Sequence, residues 1–329
     1  MNKLFSSGIN GVGSCLPEKV LTNFDLEKIV DTSDEWIKAR TGIGSRRICD
    51  DKTNASDLAA RAAELALQDA GLQPEEVDLI IVATVTGDMV FPSTACIVQK
   101  KIVALNAAAF DVEAACSGFL YGLTIGDQFI KTGMYKNVLV IGVDVFSRIL
   151  DWEDRKTCVL FGDGAGAVVL QRIEEGSGIL SSYIGADGTG SNVLTAGGDR
   201  ILTTPESIEN KLKYVKMDGS EVFKFAVRTM EKATLEALKR CNMSLKDIDF
   251  LIPHQANMRI IDAGAKRLKL TPEQVYVNID KYANMSAASI PVALDEAVKI
   301  GLMKKGDVLV LVAFGAGLTW SCNVVKWCK

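Results

Sequence analysis

Residues 115–142 read ACSGFLYGLTIGDQFIKTGMYKNVLVIG, and residues 283–312 read ANMSAASIPVALDEAVKIGLMKKGDVLVLV. Both open on small residues, continue as an apolar helix with an acid near its end, stop at Lys-x-Gly and pass into a V-L-V strand. Asp127 falls on Asp295 and Gly133 on Gly301, each at an offset of 168, and the same offset places Cys116 on Asn284. Upstream, 55–83 (ASDLAARAAELALQDAGLQPEEVDLIIVA) and 220–253 (SEVFKFAVRTMEKATLEALKRCNMSLKDIDFLIP) share a second pattern: amphipathic helix, short loop, buried strand. Agreement in order and spacing over two blocks points to an internal duplication rather than to chance likeness.

Outward from these blocks, apolar runs at 79–83, 138–143 and 168–170 in the first half, and at 251–252 and 308–312 in the second, alternate with helical patterns. Continuous apolar strands are buried on both faces, so helices must cover the sheets. The helices beginning near Ser117 and Ser286 carry almost no charge in their first turns. A helix apolar all round belongs in the centre of a core. The fold class is therefore α/β, with residues 1–174 and 175–329 as two related halves and these two helices between their sheets. No linker composition marks the break, so the halves should pack as one unit.

Composition narrows the chemistry. Against 37 Lys and Arg stand 41 Asp and Glu, giving a net charge of −4, so a nucleic-acid partner is not expected. Eight cysteines accompany a single histidine, His254. Zinc sites built on two or three histidines are thereby excluded, no CxxC pair suggests a zinc ribbon, and no metal is expected. An imidazole acid–base step near neutral pH would have to use His254, and a neutral-range titration in activity would belong to His254 or Cys116. The N-terminal MNKLFSSGINGVGSC has no sustained apolar run, so a cytoplasmic protein with reduced thiols is expected. Residues 308–325 carry no charge, but FGAG in the middle and TWSCN at the end favour strand, glycine turn, strand over a membrane span.

Cys116 sits where an apolar strand gives way to the buried helix, among small neighbours. A helix N-terminus lowers a thiol's pKa from about 8.5 toward neutral, which would make Cys116 a nucleophile; an inert packed cysteine is the plainer alternative. His254, in DFLIPHQAN, follows a buried strand, where residues of α/β sheets face a ligand crevice; a structural histidine fits as well. Asn284 begins the second buried helix, as a cap or as a functional amide. Pseudo-twofold symmetry places Cys116 and Asn284 at facing helix starts, and His254 arrives from a strand end, so a Cys–His–Asn cluster is expected. FGDGAGAVVL at 161–170 lacks GxGxxG spacing and leads into a strand, which excludes a dinucleotide fingerprint. AFGAGLTW at 313–320 offers backbone N–H groups for an oxyanion hole, or a simple glycine turn between paired strands.

TSDEWIKARTGI, FPSTAC, EAACSGF, FGDGAGA, PHQANMRII, NMSAASIP and AFGAGLTW occur in this order over essentially the whole chain. Together they resemble the β-ketoacyl-acyl carrier protein synthase III family, the initiating condensing enzymes of type II fatty acid synthesis within the thiolase superfamily. The resemblance implies a thiolase-like five-layered αβαβα fold and a homodimer. It implies that Cys116 takes an acyl group from acyl-CoA, that His254 and Asn284 stabilise the enolate formed when malonyl-acyl carrier protein loses CO2, and that the N–H groups of Cys116 and Ala316 form the oxyanion hole. No cofactor is implied beyond the coenzyme A thioester as substrate. For coenzyme A the resemblance points to Thr32, Trp36, Arg40, Arg155 and Asn257, with Trp36 stacked on adenine against Arg155; Thr32-x-x-Glu35 also reads as a capping box. Phe91 corresponds to a position reaching the partner subunit's acyl pocket. Lys224, Arg228 and Lys232 recur every four residues on one helical face, and Arg259, Lys266 and Arg267 add a second basic helix. A solvated face accounts for them, and so does docking of an acidic carrier protein. Ala316 stands where glycine is common, and Ala283–Asn284–Met285 where Gly-Asn-Thr is usual. A condensing enzyme of secondary metabolism shares these features. A non-catalytic scaffold subunit typically lacks the nucleophile.

Overall fold

The computed structural model describes residues 5–198 and 203–329; Met1 to Leu4, part of the N-terminal stretch read above, lie outside them. Two sheets organise the chain. In the first, Ser6–Cys15, Asp163–Ile173, Asn137–Val145, Leu79–Ala83 and Ala108–Val112 lie side by side in that order. The last three run parallel, and the first two are antiparallel to their neighbours. In the second, Gly178–Ala186, Thr319–Lys326, Val308–Gly315 and Phe250–Pro253 repeat this order and the same pattern of directions. The second copy's fifth strand is reduced to one parallel bridge, Leu251 to Val275.

Period-two alternation divides the layers. Val138 and Val140 face the middle of the molecule, while Leu139, Ile141 and Val143 face outward; Leu309 and Leu311 face the middle, while Val308, Val310 and Val312 face outward. Side chains of successive strand residues point to opposite faces, and both faces here are covered. Ala55–Ala70 and Thr94–Lys101 cover the first sheet, Gly219–Arg240 and Met258–Leu268 cover the second, and Gly118–Lys131 and Ser289–Lys299 fill the space between. This is the five-layered αβαβα arrangement. The uncharged stretch at 308–325 is a hairpin of two paired strands, and no helix among the described residues is long and apolar enough to cross a membrane.

The duplicated acids are buried anchors. Asp127 accepts from Ser7 Oγ and pairs with Lys131 at 2.8 Å; Asp295 accepts from Ser14 Oγ and pairs with Lys299 at 2.7 Å. A buried carboxylate must be paired and hydrogen-bonded, and both copies satisfy this with the same i, i+4 lysine and a serine from one strand.

Candidate active site

Cys116 lies in a 3-10 turn, Ala115–Ser117, that leads into the helix at Gly118. Ala115 has φ 45°, and Ala283, one residue before Asn284, has φ 59°. The left-handed region is costly for alanine, so both strained residues mark the duplicated site. The second helix starts differently from the expectation. Its 3-10 turn is Ser286–Ala288 and its α-helix begins at Ser289, so Asn284 precedes the turn rather than opening the helix. At the level of helix starts Cys116 matches Ala287; three additional residues carry Asn284 away from the axis. Asn284 Oδ1 accepts from Ser286 N–H at 2.8 Å, bracing the turn that follows without being the cap of turn or helix, and its backbone is clamped to Leu160 O and Gly162 N–H, both at 3.0 Å.

That clamp explains FGDGAGA. A Cβ on Gly162 would stand 2.8 Å from Tyr282 O, one on Gly164 2.6 Å from Met285 Sδ, and one on Gly166 2.7 Å from Val292 N. The glycines let the strand lie directly against the segment that carries Asn284.

The segments that carry the three expected residues are neighbours. Cys116, His254 and Asn284 are buried at 7%, 1% and 6% exposure. The Cys116 turn packs on Ser286–Ala288, two residues from Asn284, and Gly315 abuts it so closely that a Cβ there would lie 2.8 Å from Cys116 N. Phe314, adjacent to Gly315, meets the His254 ring edge-on at 5.5 Å. Backbone holds His254: its N–H donates to Val312 O at 2.8 Å. Its neighbour Gln255 donates to Pro253 O and accepts from Asn278 N–H. The 316–318 turn closes the hairpin as expected and brings Ala316 beside the Cys116 segment, where Thr319 Oγ1 lies 3.0 Å from Ala114 O and 3.1 Å from Ala316 O.

Electrostatics differ from the expectation. Burial pushes the Cys116 thiol up to about 12, with the Asp144 carboxylate adding to the rise and the Ser286 hydroxyl opposing it. Burial is the largest influence on the thiol, and a 3-10 turn separates Cys116 from the helix proper. Burial lowers His254 to about 3, so the imidazole is neutral, and its Nδ1 has no hydrogen-bond partner among the described residues. Neither group titrates near neutrality.

At the surface, Arg155 lies 5.0 Å and Arg40 6.0 Å from the Trp36 ring centre. Arg155 is steadied by Asp31 O at 2.8 Å. The Thr32-x-x-Glu35 box does not form: Ser33 is the cap, its Oγ accepting from Trp36 N–H at 3.1 Å, and Thr32 Oγ1 is buried without a partner among the described residues. Asn257 caps Met258–Leu268 and donates to Arg40 O at 3.2 Å, which ties the two helices together. Gly219–Arg240 turns Lys224, Arg228 and Lys232 outward and buries Ala226, Met230, Ala233 and Ala237; Arg259, Lys266 and Arg267 are exposed on the adjacent helix. Lys224 pairs with Glu221 and Arg267 with Glu231, each at 2.8 Å, so part of this charge is internally neutralised. Phe91 is 83% exposed beside exposed Met89 and Val90.

Two residues at the centre escaped the sequence: Asp144 and Ser286. Asp144 is fully buried at the end of Asn137–Val145. The available signal was a lone acid closing the apolar run VLVIGVDV.

Comparison with known proteins follows this geometry. Residues 110–188 match the model of 3-oxoacyl-[acyl-carrier-protein] synthase III and 238–327 that of its C-terminal part. The chain is 61% identical over 331 residues, all of both chains, to the beta-ketoacyl-[acyl-carrier-protein] synthase III of Caldanaerobacter subterraneus subsp. tengcongensis. It superposes on the crystal structure of 3-oxoacyl-[acyl-carrier-protein] synthase III from Aquifex aeolicus with TM-score 0.92 at 51% identity, covering 98% of this chain and all of that one. The priming β-ketosynthase of the R1128 polyketide pathway gives TM-score 0.94 at 32% identity, covering 100% and 98% of the two chains. An α/β duplication with buried cysteine, histidine and asparagine at one junction, matched from end to end by these relatives, belongs to the β-ketoacyl-[acyl-carrier-protein] synthase III family.

Proposed function

We infer that the chain condenses a short acyl-CoA primer, such as acetyl-CoA, with malonyl-acyl carrier protein, using Cys116 as the acyl carrier. The observation that carries this is the junction itself, where Cys116, His254 and Asn284 are buried around Gly315 and Ser286. Cys116 sulfur forms a bond to the acyl carbon and coenzyme A leaves as its thiol. The malonyl group then loses CO2; neutral His254 and Asn284 donate hydrogen bonds to its thioester oxygen as the enolate forms. Neutral donors in a dry pocket stabilise developing negative charge without a strong base. The enolate carbon attacks the acyl-cysteine, whose oxyanion meets the Cys116 and Ala316 N–H groups, and the cysteine sulfur is released.

Trp36 between Arg155 and Arg40 suits a purine and its phosphates. Thr32 and Asn257 are assigned to the same coenzyme A ligand. Lys224, Arg228, Arg259, Lys266 and Arg267 are assigned to an acidic carrier protein. Phe91 is assigned to the acyl pocket of a second copy in a homodimer, since a phenyl group so exposed is best covered by a partner. No cofactor takes part in these steps. We read residues 1–174 and 175–329 as the two halves and place the reaction in the cytoplasm, in keeping with eight free cysteines.

Incubation with radiolabelled acetyl-CoA tests the scheme: label appears on Cys116, and a Cys116→Ala variant takes none. An unlabelled Cys116 in the native enzyme would sink it. Likeness to the R1128 enzyme favours a second assignment, to secondary metabolism. Transfer of label to malonyl-acyl carrier protein but not to malonyl-CoA supports fatty acid initiation over it.

A further inference from the structure

Arg46 is the largest wholly buried side chain among the described residues, and the scheme above does not use it. Its guanidinium is held by neutral acceptors. Nη1 donates to Asn23 Oδ1 at 2.8 Å and to Leu21 O at 3.3 Å, and Nη2 donates to Val159 O at 2.9 Å. Nε has no partner among the described residues. A guanidinium stays charged at neutral pH, and burying a charge without a carboxylate partner is costly, whereas an apolar side chain of similar volume would fill the space without that cost. What an apolar side chain cannot do is fix several chain segments at once through a rigid planar fork. The segments fixed here lead to Asn284. Val159 precedes Leu160, whose carbonyl accepts from Asn284 N–H, and Gly162 N–H donates to Asn284 O, both at 3.0 Å. The stem of Arg46 lies against this clamp: a Cβ on Gly162 would stand 3.0 Å from Arg46 Cβ. The residues just before Arg46 hold the chain that delivers Asn284, since Gly44 N–H donates to Asp280 O and half-buried Ser45 Oγ to Lys281 O, each at 2.9 Å. Asn23, which accepts from Nη1, donates in turn to Ile43 O at 2.8 Å and to Asp34 Oδ1 at 3.0 Å, so the same cluster is anchored to the helix Asp34–Thr41.

We propose that Arg46, with Ser45 beside it, is a positioning residue for Asn284. The fork sets Val159, Val159 sets the Leu160–Gly162 clamp, and the clamp sets the backbone from which the Asn284 amide meets the enolate oxygen. Asn284 Oδ1 is already committed to Ser286 N–H, so the direction of its Nδ2 donor follows from where the backbone stands. A displacement of about 1 Å at a reacting group costs about 100-fold in rate, and the Arg46 contacts oppose such a displacement from one side while Ser45 and Gly44 oppose it from the other. None of the segments that Arg46 bonds carries Cys116, and Asn23 keeps its bonds to Ile43 and Asp34 without the guanidinium. Acyl transfer to Cys116 therefore lies outside its reach.

The inference rests on Asn284 stabilising the enolate. The test compares two half-reactions: single-turnover transfer of labelled acetyl from acetyl-CoA to Cys116, and condensation of the acetyl-enzyme with malonyl-acyl carrier protein. Asn284→Ala should slow the second and spare the first; condensation at the wild-type rate in that variant refutes the scheme of the preceding section, and the inference with it. With that scheme standing, Arg46→Met should lower kcat for condensation about 100-fold, leave KM for malonyl-acyl carrier protein unchanged and spare acetyl transfer. Adding Arg46→Met to Asn284→Ala should cost nothing further, because a residue that acts through another has no effect once that other is gone. Losses that multiply in the double variant, equal slowing of both half-reactions, or wild-type condensation by Arg46→Met would each overturn the proposal. Ser45→Ala probes the same link from a half-buried position and serves where Arg46→Met does not fold. It should slow condensation about two- to tenfold, the range of one net hydrogen bond, and only while Asn284 is present; unchanged condensation, or the same slowing on top of Asn284→Ala, overturns the proposal.

Discussion

At the residue scale the role proposed for His254 calls for an uncharged imidazole. Burial sets its folded value near 3, below the value of about 6.5 for an exposed imidazole. Between those values the unfolded chain binds a proton that the native chain does not. Stability therefore falls as pH drops through that window and is unaffected by this group above it. The slope is at most about 1.4 kcal/mol per pH unit. Urea unfolding of His254→Ala should show a flatter acid limb than wild type. In the same variant, decarboxylation of malonyl-acyl carrier protein should fall about 100-fold or more, as when one oxyanion donor is lost, while acyl transfer to Cys116 is spared. Equal loss of both steps would refute the division of roles. The burial of Cys116, His254 and Asn284 in neighbouring segments was legible because each follows or precedes a recognisable strand or helix of the duplicated blocks. Asp144 and Ser286 were not: the end of the strand that holds Asp144 meets the Ser286–Ala288 turn through Ala287 N–H, 143 residues on in the sequence, which no local pattern encodes.

At the element scale the helix Asp34–Thr41 distinguishes two hydroxyls. Ser33 accepts from Trp36 N–H in the first turn of the helix and Thr32 does not. Ser33→Ala should cost about 1 kcal/mol in urea unfolding, and Thr32→Ala much less. A larger loss for Thr32→Ala would restore the capping box expected from its spacing to Glu35. That misassignment has a simple cause, since two adjacent hydroxyl residues offer two cap registers and only backbone geometry selects one. The strand Asn137–Val145 makes a sharper case. Gly142→Ala sets a methyl against the Ala287 carbonyl, so about 1–3 kcal/mol of stability should be lost and the Asn284-dependent decarboxylation should weaken with it. Full stability and full activity in that variant would mean that strand and turn can separate freely. The duplication itself was readable, helix by helix and acid by acid. The three-residue difference between the helix starts was not, because an offset of 168 aligns Asp127 and Lys131 with their counterparts while hiding the shorter helix.

At the scale of the whole molecule, surface residues carry the partner assignments. Arg259→Glu should raise KM for malonyl-acyl carrier protein in a salt-dependent way and leave that for acyl-CoA unchanged; parallel changes for both substrates would argue for a merely solvated face. Phe91→Ser should keep the fold and shift preference toward longer acyl-CoA primers in a competition assay, and an unchanged primer profile would remove Phe91 from the pocket.

The strand Ser6–Cys15 binds both copies of the duplicated helix, through Ser7 to Asp127 and through Ser14 to Asp295. The second of those helices, Ser289–Lys299, lies against Ser6–Cys15 and Asp163–Ile173 of the first sheet. On the ribosome this gives the chain an order of events. The first sheet is complete by residue 173, yet part of its inner face stays uncovered until residue 299 has emerged. During that interval the nascent protein displays an apolar surface of the kind that chaperones hold. A fragment ending at residue 174 should therefore be recovered as aggregate, whereas co-expression with residues 175–329 should return it to the soluble fraction.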